Sequence, residues 1–315
     1  MKSILTIALN PTFQKILVFN NYILDTVNRA AEHMLAVAGK GVNASRVLTQ
    51  LGKKNIHLTQ LGGSLRQFFL DLCALDQLQI EWVESGSQIR FCYTVINKND
   101  RSVTELVEEG EKVEENTGRR LLDALDDLLS RTSDPVSMLV ICGSRAAGFD
   151  DSIFGEMVRR AKAKDLPVIL DIRGRDLLSC LPFEPDIIKP NLYEFVSTFA
   201  PDLVSGNETA LGDSPEAVEI SKKRIFEICN DLYRKYRTNI ILSRGSESIW
   251  YFENGEPAVF DIETVEPVSS IGCGDAFTGG LAAVYNEGGS LRNAVAEGAR
   301  CGKLNALQIR PGVIR

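Results

Sequence analysis

Histidine is nearly absent from this sequence: the 315-residue chain contains only His33 and His57. A metal held on imidazole ligands needs several histidines, and a Ser–His–Asp mechanism would have to use one of these two. Isolated histidines are more typical of the surface or of a satisfied core position. The sequence therefore argues against histidine-based catalysis.

Cysteine pairs and long apolar runs are also missing. The seven cysteines are scattered, with no C-x-x-C pair, as is typical of reduced thiols rather than of a disulfide framework or a zinc site. No run of residues is apolar enough to span a bilayer, and no signal-peptide pattern is seen. We therefore expect a cytoplasmic protein with no membrane partner.

Positive charge is not in excess. Lysine and arginine number 35 and aspartate and glutamate 42, so the net charge is −7. Proteins that bind nucleic acid usually present a basic face, so we expect no nucleic-acid partner. The composition, 44% hydrophobic and 24% charged, is that of a globular protein, and the length allows one large α/β domain or two small ones.

Buried strands and amphipathic helices alternate along the chain. Short apolar runs at 4–9, 56–61, 138–142, 168–172 and 240–242 each end in polar or glycine residues. This alternation predicts an α/β fold with a parallel sheet and helices on both faces. Ligands of such folds collect at the carboxyl ends of the strands. The alternating segments 89–96 and 103–107 predict a separate hairpin, such as a lid over that cleft.

The segment from Val268 to Tyr285 combines two glycines with an acidic helix start. Gly272 and Gly274 allow a sharp turn and a close approach to a ligand. The free N–H groups of the following helix favour a phosphate oxygen, and Asp275 could accept a proton from a hydroxyl that attacks it. The same pattern is also typical of an ordinary turn with an acidic N-cap, and both interpretations stay open on this segment alone.

A second glycine-rich helix start, A-G-K-G-V-N, begins at Ala38. It carries Lys40 in the loop and Asn43 at the start of the helix. Two such helix starts, one with a base and one with a cation, suit phosphoryl transfer, which needs positioning and neutralisation of charge. The chain has no Walker loop and no protein-kinase loops.

The ordered motifs resemble those of the PfkB (ribokinase-like) carbohydrate kinases over nearly the whole chain. The segments are T-I-A-L-N-P-T, A-G-K-G-V-N-A-S-R-V-L, C-G-S, D-I-I-K-P-N-L-Y-E, S-R-G-S-E-S and I-G-C-G-D-A-F. They are most similar to the branch of 1-phosphofructokinase and tagatose-6-phosphate kinase. The resemblance implies one domain over 1–315, a ribokinase-like three-layer α/β sandwich with a mostly parallel central sheet. It also implies a small β-sheet lid from roughly 12–36 and 87–108, which in relatives often joins two subunits into a homodimer.

The resemblance further implies roles for individual residues. Asp275 would be the catalytic base, and the amides of Gly272, Cys273 and Gly274 would form the anion hole. ATP and Mg²⁺ would be the cofactors, with the metal held through water by Glu194 and Asn191. The residues implied at the nucleotide are Lys189, Asn191, Ser243, Gly245, Ser246 and Asn305.

On the acceptor side the resemblance implies contacts to a phosphosugar. The residues are Gln14, Gly39, Lys40, Asn43, Arg90 and Ser144. Lys40 and Arg90 would supply the charge that a sugar phosphate requires. Taken singly, Lys40 is equally typical of a solvated loop, Arg90 of a surface strand, and Glu194 of the first turn of a helix.

Four positions depart from the family pattern on this acceptor side. Gln14 stands where relatives have Asp, and Val107 stands where the lid has Asn. Arg145 and Arg173 follow strand ends where relatives read S-L-P-x-G and D-T-S-G. We predict that phosphoryl transfer is retained while the choice of acceptor has changed, and that Arg145 and Arg173 contact an anionic group unless they are simply solvated.

Phosphorylation by ATP of a hydroxyl on a hexose phosphate, of the fructose 1-phosphate or tagatose 6-phosphate type, is therefore the leading prediction. Two alternatives stay open. The first is a kinase of the same fold for another sugar or a nucleoside, which the charges of Lys40 and Arg90 disfavour. The second is a catalytically weak sugar or nucleotide sensor, which would not need the base Asp275.

Overall fold

The computed structural model describes residues 2–205, 208–209 and 215–315, with the side chains of 205, 208–209 and 215–217 excepted. The strands are β1 (Ser3–Leu9), β2 (Thr12–Phe19), β3 (Glu32–Ala38), β4 (Asn55–Leu61), β5 (Ile80–Glu84), β6 (Arg90–Asn97), β7 (Ser102–Val107), β8 (Val136–Arg145), β9 (Val168–Asp171), β10 (Ile187–Ile188), β11 (Val204–Ser205), β12 (Glu208–Thr209), β13 (Asn239–Leu242), β14 (Ile249–Glu253) and β15 (Glu256–Phe260). The α-helices are α1 (Lys40–Gln50), α2 (Arg66–Leu75), α3 (Thr117–Leu129), α4 (Ile153–Lys162), α5 (Gly174–Cys180), α6 (Leu192–Phe199), α7 (Pro215–Tyr236), α8 (Cys273–Tyr285) and α9 (Leu291–Ala306). In the part of the chain so described, no helix has both the length and the apolar character needed to cross a membrane.

A large sheet forms the centre of the molecule, in the order β15-β14-β13-β10-β9-β8-β1-β4-β5. The strands from β13 to β5 are parallel, and β14 and β15 continue the sheet antiparallel. Parallel strands must be covered on both faces, so they are largely apolar and their few polar residues are buried. In β1 all seven residues are buried, which explains why its sequence shows no polar alternation.

Helices cover both faces of this sheet. Along β8, Leu139 and Ile141 face the core shared with α3 to α7, whereas Met138 and Val140 face the core shared with α1, α8 and α9. Successive side chains of a strand point to opposite faces, so one strand serves both layers. The predicted α/β sandwich with helices on both faces is confirmed.

A smaller sheet, in the order β3-β2-β6-β7, stands apart from the large one. The β6–β7 hairpin is antiparallel, with Tyr93 opposite Leu106. β2 joins this sheet directly after β1 has ended at the floor of the cleft, and only Asn10 and Pro11 separate the two strands. The small sheet therefore rises from the end of β1 as a lid.

A buried histidine makes stability depend on pH. His57 in β4 is fully buried beneath α1, and its Nδ1 lies 2.8 Å from Thr6 Oγ1. Burial lowers the pKa of His57 to about 3, opposed by the hydrogen bond with Thr6. The unfolded chain takes up this proton near its ordinary pKa, so stability is complete above about pH 6.5 and is lost as the pH falls towards the folded value.

We expect His57→Gln to reduce this acid sensitivity. At pH 4.5, two pH units below the ordinary value, the wild-type protein should lose about 3 kcal/mol of unfolding free energy through His57 alone. Denaturant unfolding at pH 7 and pH 4.5 measures the difference within each protein. His33→Gln is the matched control because His33 is exposed. Equal acid sensitivity in wild type and His57→Gln would refute the assignment.

Candidate active site

The two glycine-rich helix starts meet at the carboxyl edge of the large sheet. α1 follows Gly39 and α8 follows Gly272, with φ angles of 107° and 82°. Such positive φ angles favour glycine, because a side chain would crowd the backbone. Asn43 of α1 contacts Asp275 of α8, so the two helix starts face one another across the ends of β1, β8 and β9.

Asp275 is held in the first turn of α8 and is 8% exposed. Asn43 Nδ2 donates a hydrogen bond of 2.8 Å to its Oδ2 atom. Burial raises the pKa of Asp275 above its ordinary value, while the charge of Lys40 and the hydrogen bond from Asn43 act in the opposite direction. A carboxylate with a raised pKa accepts a proton more readily, which suits a general base.

Asp171, at the end of β9, contacts two lysines and a threonine that come from different parts of the chain. Its Oδ1 lies 3.2 Å from Lys40 Nζ, and its Oδ2 lies 3.2 Å from Lys189 Nζ. Thr278 of α8 donates a further bond of 2.8 Å to Oδ2. Burial alone would raise the pKa of Asp171, but the two ammonium groups lower it below its ordinary value. This carboxylate therefore stays charged and serves as an anchor rather than as a base.

Lys40 lies at the sheet edge between two carboxylates. Its ammonium group is 3.6 Å from Glu194 Oε1, in addition to its contact with Asp171. Burial would lower the pKa of Lys40, but the surrounding carboxylates raise it above its ordinary value. These two carboxylates hold the cation at the sheet edge while its side chain stays 37% exposed, so the contact with a phosphosugar remains a prediction.

Glu194 and Asn191 form a capping box at the start of α6. Asn191 Oδ1 accepts from the Glu194 amide at 2.8 Å, and Glu194 Oε2 accepts from the Asn191 amide at 3.0 Å. Glu194 Oε1 remains directed at Lys40. Mg²⁺ keeps most of its waters and needs only one or two carboxylates, so Glu194 fits a water-mediated metal contact. Asn191 Oδ1 accepts one bond from the helix, and its part in holding the metal remains a prediction.

The turn before α8 presents free amide groups. Among the described residues, the N–H groups of Gly272 and Gly274 have no acceptor, whereas Cys273 N–H donates to Ser270 O at 3.3 Å. The predicted anion hole is thus open at the two glycines, and the cysteine amide is already engaged. Lys189 lies behind the turn, since a Cβ on Gly274 would be 3.9 Å from its Nζ atom.

Asn305 holds this turn in place through hydrogen bonds. It is fully buried, its Nδ2 donates to Ile271 O at 2.9 Å, and its Oδ1 accepts from Gly312 N at 2.6 Å. Its Nδ2 also faces Cys273 Sγ at 3.5 Å and the side chain is fully buried, so the predicted contact with the nucleotide is not supported. The side chain instead connects the anion-hole turn to the segment at Gly312.

The other residues predicted at the nucleotide lie beyond β10 and β13. Ser243 pairs with Asn191 in a parallel bridge, which brings the S-R-G-S-E-S loop beside the capping box. Gly245 and Ser246 are exposed, and Gly245 has open space around it. Lys189, in contrast, is buried, with only 2% of its surface exposed.

The residues predicted to contact the acceptor include side chains on the small sheet and at the ends of β1 and β8. Gln14 is buried and donates through Nε2 to Thr94 Oγ1 at 2.7 Å, so it is held by the lid itself. Ser144 is exposed and accepts from Asn10 Nδ2 at 3.3 Å. Gly39 lies against the same asparagine, since a Cβ there would be 3.5 Å from Asn10 O.

The small sheet has two charged side chains on the strands of its hairpin, Arg90 of β6 and Glu105 of β7. Glu105 of β7 has its pKa raised by burial and by the charge of Asp275, and lowered in part by Arg90. Arg90 donates to Glu108 O at 2.9 Å, while its buried Nε has no partner among the described residues. Sequence reasoning did not single out Glu105, because an acidic residue in a hairpin gives no local signal.

The two unusual arginines behave differently. Arg145 donates to Asp176 Oδ1 at 2.8 Å and to Phe149 O at 2.9 Å, and it also pairs with Asp151. Its charge is already neutralised by two carboxylates, so the predicted contact with an anionic ligand is not supported. Arg173 is exposed just after β9, and a contact with an anionic group remains a prediction for it.

Comparison with known proteins agrees with this geometry. Residues 10–312 match the family described as pfkB family carbohydrate kinase. Phosphofructokinase-2 from Escherichia coli in complex with potassium has a TM-score of 0.82 at 19% identity, covering 98% of this chain and 94% of that chain. The tetrameric inhibited form of the same enzyme gives a TM-score of 0.82, 19% identity, and coverage of 98% and 95%.

A protein described as a possible 1-phosphofructokinase from Thermotoga maritima gives a TM-score of 0.79 at 17% identity, covering 98% of this chain and 94% of that chain. At such identities the structural likeness shows the fold. The family match is more informative, because it extends over residues 10–312 and so includes both glycine-rich helix starts. The chain therefore belongs to the pfkB family of carbohydrate kinases and is a sugar kinase.

Proposed function

We propose that this kinase transfers the terminal phosphoryl group of ATP to a hydroxyl of a hexose phosphate, with Asp275 as the base. The observation that carries the proposal is the juxtaposition of Asp275 with free glycine amides and two lysines at one sheet edge. Phosphoryl transfer needs positioning, neutralisation of charge and a base for the attacking hydroxyl, and each is available here.

The reacting atoms follow from the hydrogen bonds of the base. Asp275 Oδ2 is occupied by Asn43, and no bond from a described residue reaches Oδ1. Oδ1 would take the proton of the acceptor hydroxyl while the hydroxyl oxygen forms its bond to the terminal phosphorus. The bond from that phosphorus to the bridging oxygen breaks, and the electron pair leaves with ADP.

Charge on the transferred group would be stabilised by the protein from two directions. The amides of Gly272 and Gly274 donate to its oxygens, a kind of contact worth a factor of about 100–1000 in rate for one donor. Lys40 and Lys189 supply positive charge from the sheet edge, where Asp171 holds both ammonium groups in place. These groups are already assembled, so little reorganisation is needed during the reaction.

A divalent cation fits the charge balance of the site. The carboxylates of Asp171, Glu194 and Asp275 carry −3 and the ammonium groups of Lys40 and Lys189 carry +2, which leaves −1 before ATP enters. Glu194 would hold Mg²⁺ through water, with Asn191 fixing the orientation of that carboxylate. When bound, the metal supplies positive charge that neutralises the phosphates.

Arg90 supports a phosphorylated acceptor. Its guanidinium stands at the start of β6 on the small sheet, where its charge would pair with the phosphate of an acceptor bound beneath that sheet. Arg173 offers a second exposed cation near the end of β9. The structural neighbours are named as phosphofructokinases, which favours a fructose phosphate, or the related tagatose 6-phosphate, as the acceptor.

A coupled assay for ADP release tests the proposal. We expect turnover with a hexose phosphate, and a kcat/KM at least about 100-fold higher than with the same sugar lacking its phosphate, because a buried charge left without its partner costs about 3–5 kcal/mol. The panel should contain fructose 1-phosphate, fructose 6-phosphate, tagatose 6-phosphate, the free sugars and nucleosides.

The other outcomes of this assay identify the competing functions. Turnover that is equal or better with a free sugar or a nucleoside would overturn the choice of acceptor but leave the kinase chemistry intact. Thermal stabilisation by a sugar or by ATP without any ADP release would indicate a sensor and overturn the role of Asp275.

We also propose that the lid sheet forms a homodimer. Leu106 and Val107, at the end of β7 on the edge of the lid, are 55% and 52% exposed. Exposed apolar side chains on an edge strand are commonly covered by another chain. The tetrameric form of phosphofructokinase-2 from Escherichia coli indicates that larger assemblies occur on this fold.

A further inference from the structure

Arg46 of α1 is an unusual residue for the interior of this protein. It is 3% exposed, and burial lowers its pKa to about 10, helped by the nearby charge of Arg310 and opposed by Asp76. All three of its nitrogens make contacts. Nε and Nη2 lie 3.0 Å from Asp76 Oδ2, and Nη2 also donates to Val37 O at 2.7 Å.

The remaining nitrogen of Arg46 reaches the catalytic cleft indirectly. Nη1 donates to Asn43 Oδ1 at 2.8 Å and to Pro311 O at 3.1 Å. On its other side, the same asparagine amide donates from Nδ2 to Asp275 Oδ2 at 2.8 Å. A continuous buried chain therefore runs from Arg46 through Asn43 to Asp275.

We propose that Arg46 is a positioning residue that sets the orientation of the Asn43 amide and, through it, selects Oδ1 of Asp275 as the basic atom. A guanidinium has only donors, so the atom of Asn43 facing it must be the oxygen. The amide NH₂ group must then face Asp275, where it stabilises the charged carboxylate and occupies Oδ2. This inference rests on the proposed function only for the role of Asp275 as base.

Without Arg46 the amide has no such constraint. Asn43 could turn its oxygen towards Asp275, which would place two acceptors face to face and favour the protonated carboxyl. The base would then need a higher pH to be active, and its free oxygen would no longer be fixed. Arg46 acts through Asn43 and does not contact the reacting atoms.

The ion pairs around Arg46 allow this residue to be replaced without leaving Asp76 unpaired. Asp76 pairs with both Arg46 and Arg310, so two cations share one carboxylate. Arg46→Met leaves the Asp76–Arg310 pair, and Arg310→Met leaves the Asp76–Arg46 pair. Neither variant strands a buried charge, and only the first removes the contact with Asn43.

The test compares pH profiles of kcat/KM for the wild type, Arg46→Met and Arg310→Met. We expect Arg46→Met to move the acid limb of its profile upward by about one pH unit, so that kcat/KM at a pH on that limb falls by about 10-fold while KM for ATP is unchanged, since one pH unit corresponds to a factor of 10. Arg310→Met should keep the wild-type profile. An unchanged profile in Arg46→Met, or an equal shift in both variants, would overturn the proposal.

A measurement independent of turnover separates this proposal from the proposed function. In ¹H–¹⁵N spectra of the wild-type protein, the side-chain NH₂ of Asn43 should give two distinct resonances that titrate together with the Asp275 carboxylate. They should merge or lose that titration in Arg46→Met. A wild-type amide that does not sense Asp275 would overturn the positioning role even in an active kinase. A correctly coupled amide in a protein without turnover would overturn only the proposed function.

Discussion

Replacing Asp275 by Asn should lower kcat by about 100- to 10,000-fold, the usual contribution of a positioned general base. Asn keeps the size of the side chain and a hydrogen-bonding partner for Asn43, so the cleft should keep its shape. The substitution also removes a buried carboxylate whose pKa is raised by burial, so folding should not be impaired. Steady-state kinetics give kcat, and calorimetry gives the affinity for ATP, which should stay unchanged.

The comparison needs a variant with the same chemical change elsewhere. Asp127→Asn on α3 provides it, because Asp127 is exposed and far along the chain from the cleft. We expect wild-type kinetics for that control. A kcat for Asp275→Asn within a few-fold of the wild type would show that another group accepts the proton.

Gly272→Ala should have the second large effect, because it changes the anion hole without touching the base. A Cβ at this position would lie 2.5 Å from Pro311 Cβ and 3.0 Å from Pro311 Cα, so the turn has to move. The φ angle of 82° adds about 1–2 kcal/mol of strain for any residue with a side chain. Displacing one anion-hole donor should lower kcat by about 100- to 1000-fold.

Gly288→Ala separates strain from steric contact. Gly288 has a φ angle of 78°, close to that of Gly272, but a Cβ there has no heavy atom within 4 Å. Gly288→Ala should therefore lose stability through backbone strain and keep the wild-type kcat. Thermal unfolding measures the stability of both variants, and the coupled assay measures kcat. If the two variants lose activity equally, the contact with Pro311 does not hold the anion hole in place.

Local sequence patterns predicted the structure correctly where residues close together in the chain determine it. The strand β1 is apolar because a central parallel strand has to be buried on both faces, and that pattern is visible in the sequence. Gly272 and Asp275 are only three positions apart in the chain, so their spacing was visible too. The hairpin of β6 and β7 followed from its alternation and its turn residues.

Contacts between distant residues were not visible in the same way. The resemblance implied a contact of Lys40 with the acceptor, but its pairing with Asp171 and Glu194, which lie far along the chain, was not visible in the sequence. Arg145 was predicted to bind an anion, and Asp151 and Asp176 already neutralise it. The sequence shows that a residue is charged. Which residue neutralises that charge depends on how the fold brings distant parts of the chain together.

The segment around Asp275 illustrates both sources of information. The sequence by itself determined an α/β fold, two glycine-rich helix starts and a carboxylate beside one of them, because these depend on local periodicity and on turn geometry. Only the tertiary structure decided the state of that carboxylate. Its burial, its bond from Asn43 and the support of Arg46 come from different helices, and electrostatic free energies depend on distances that the order of residues does not specify.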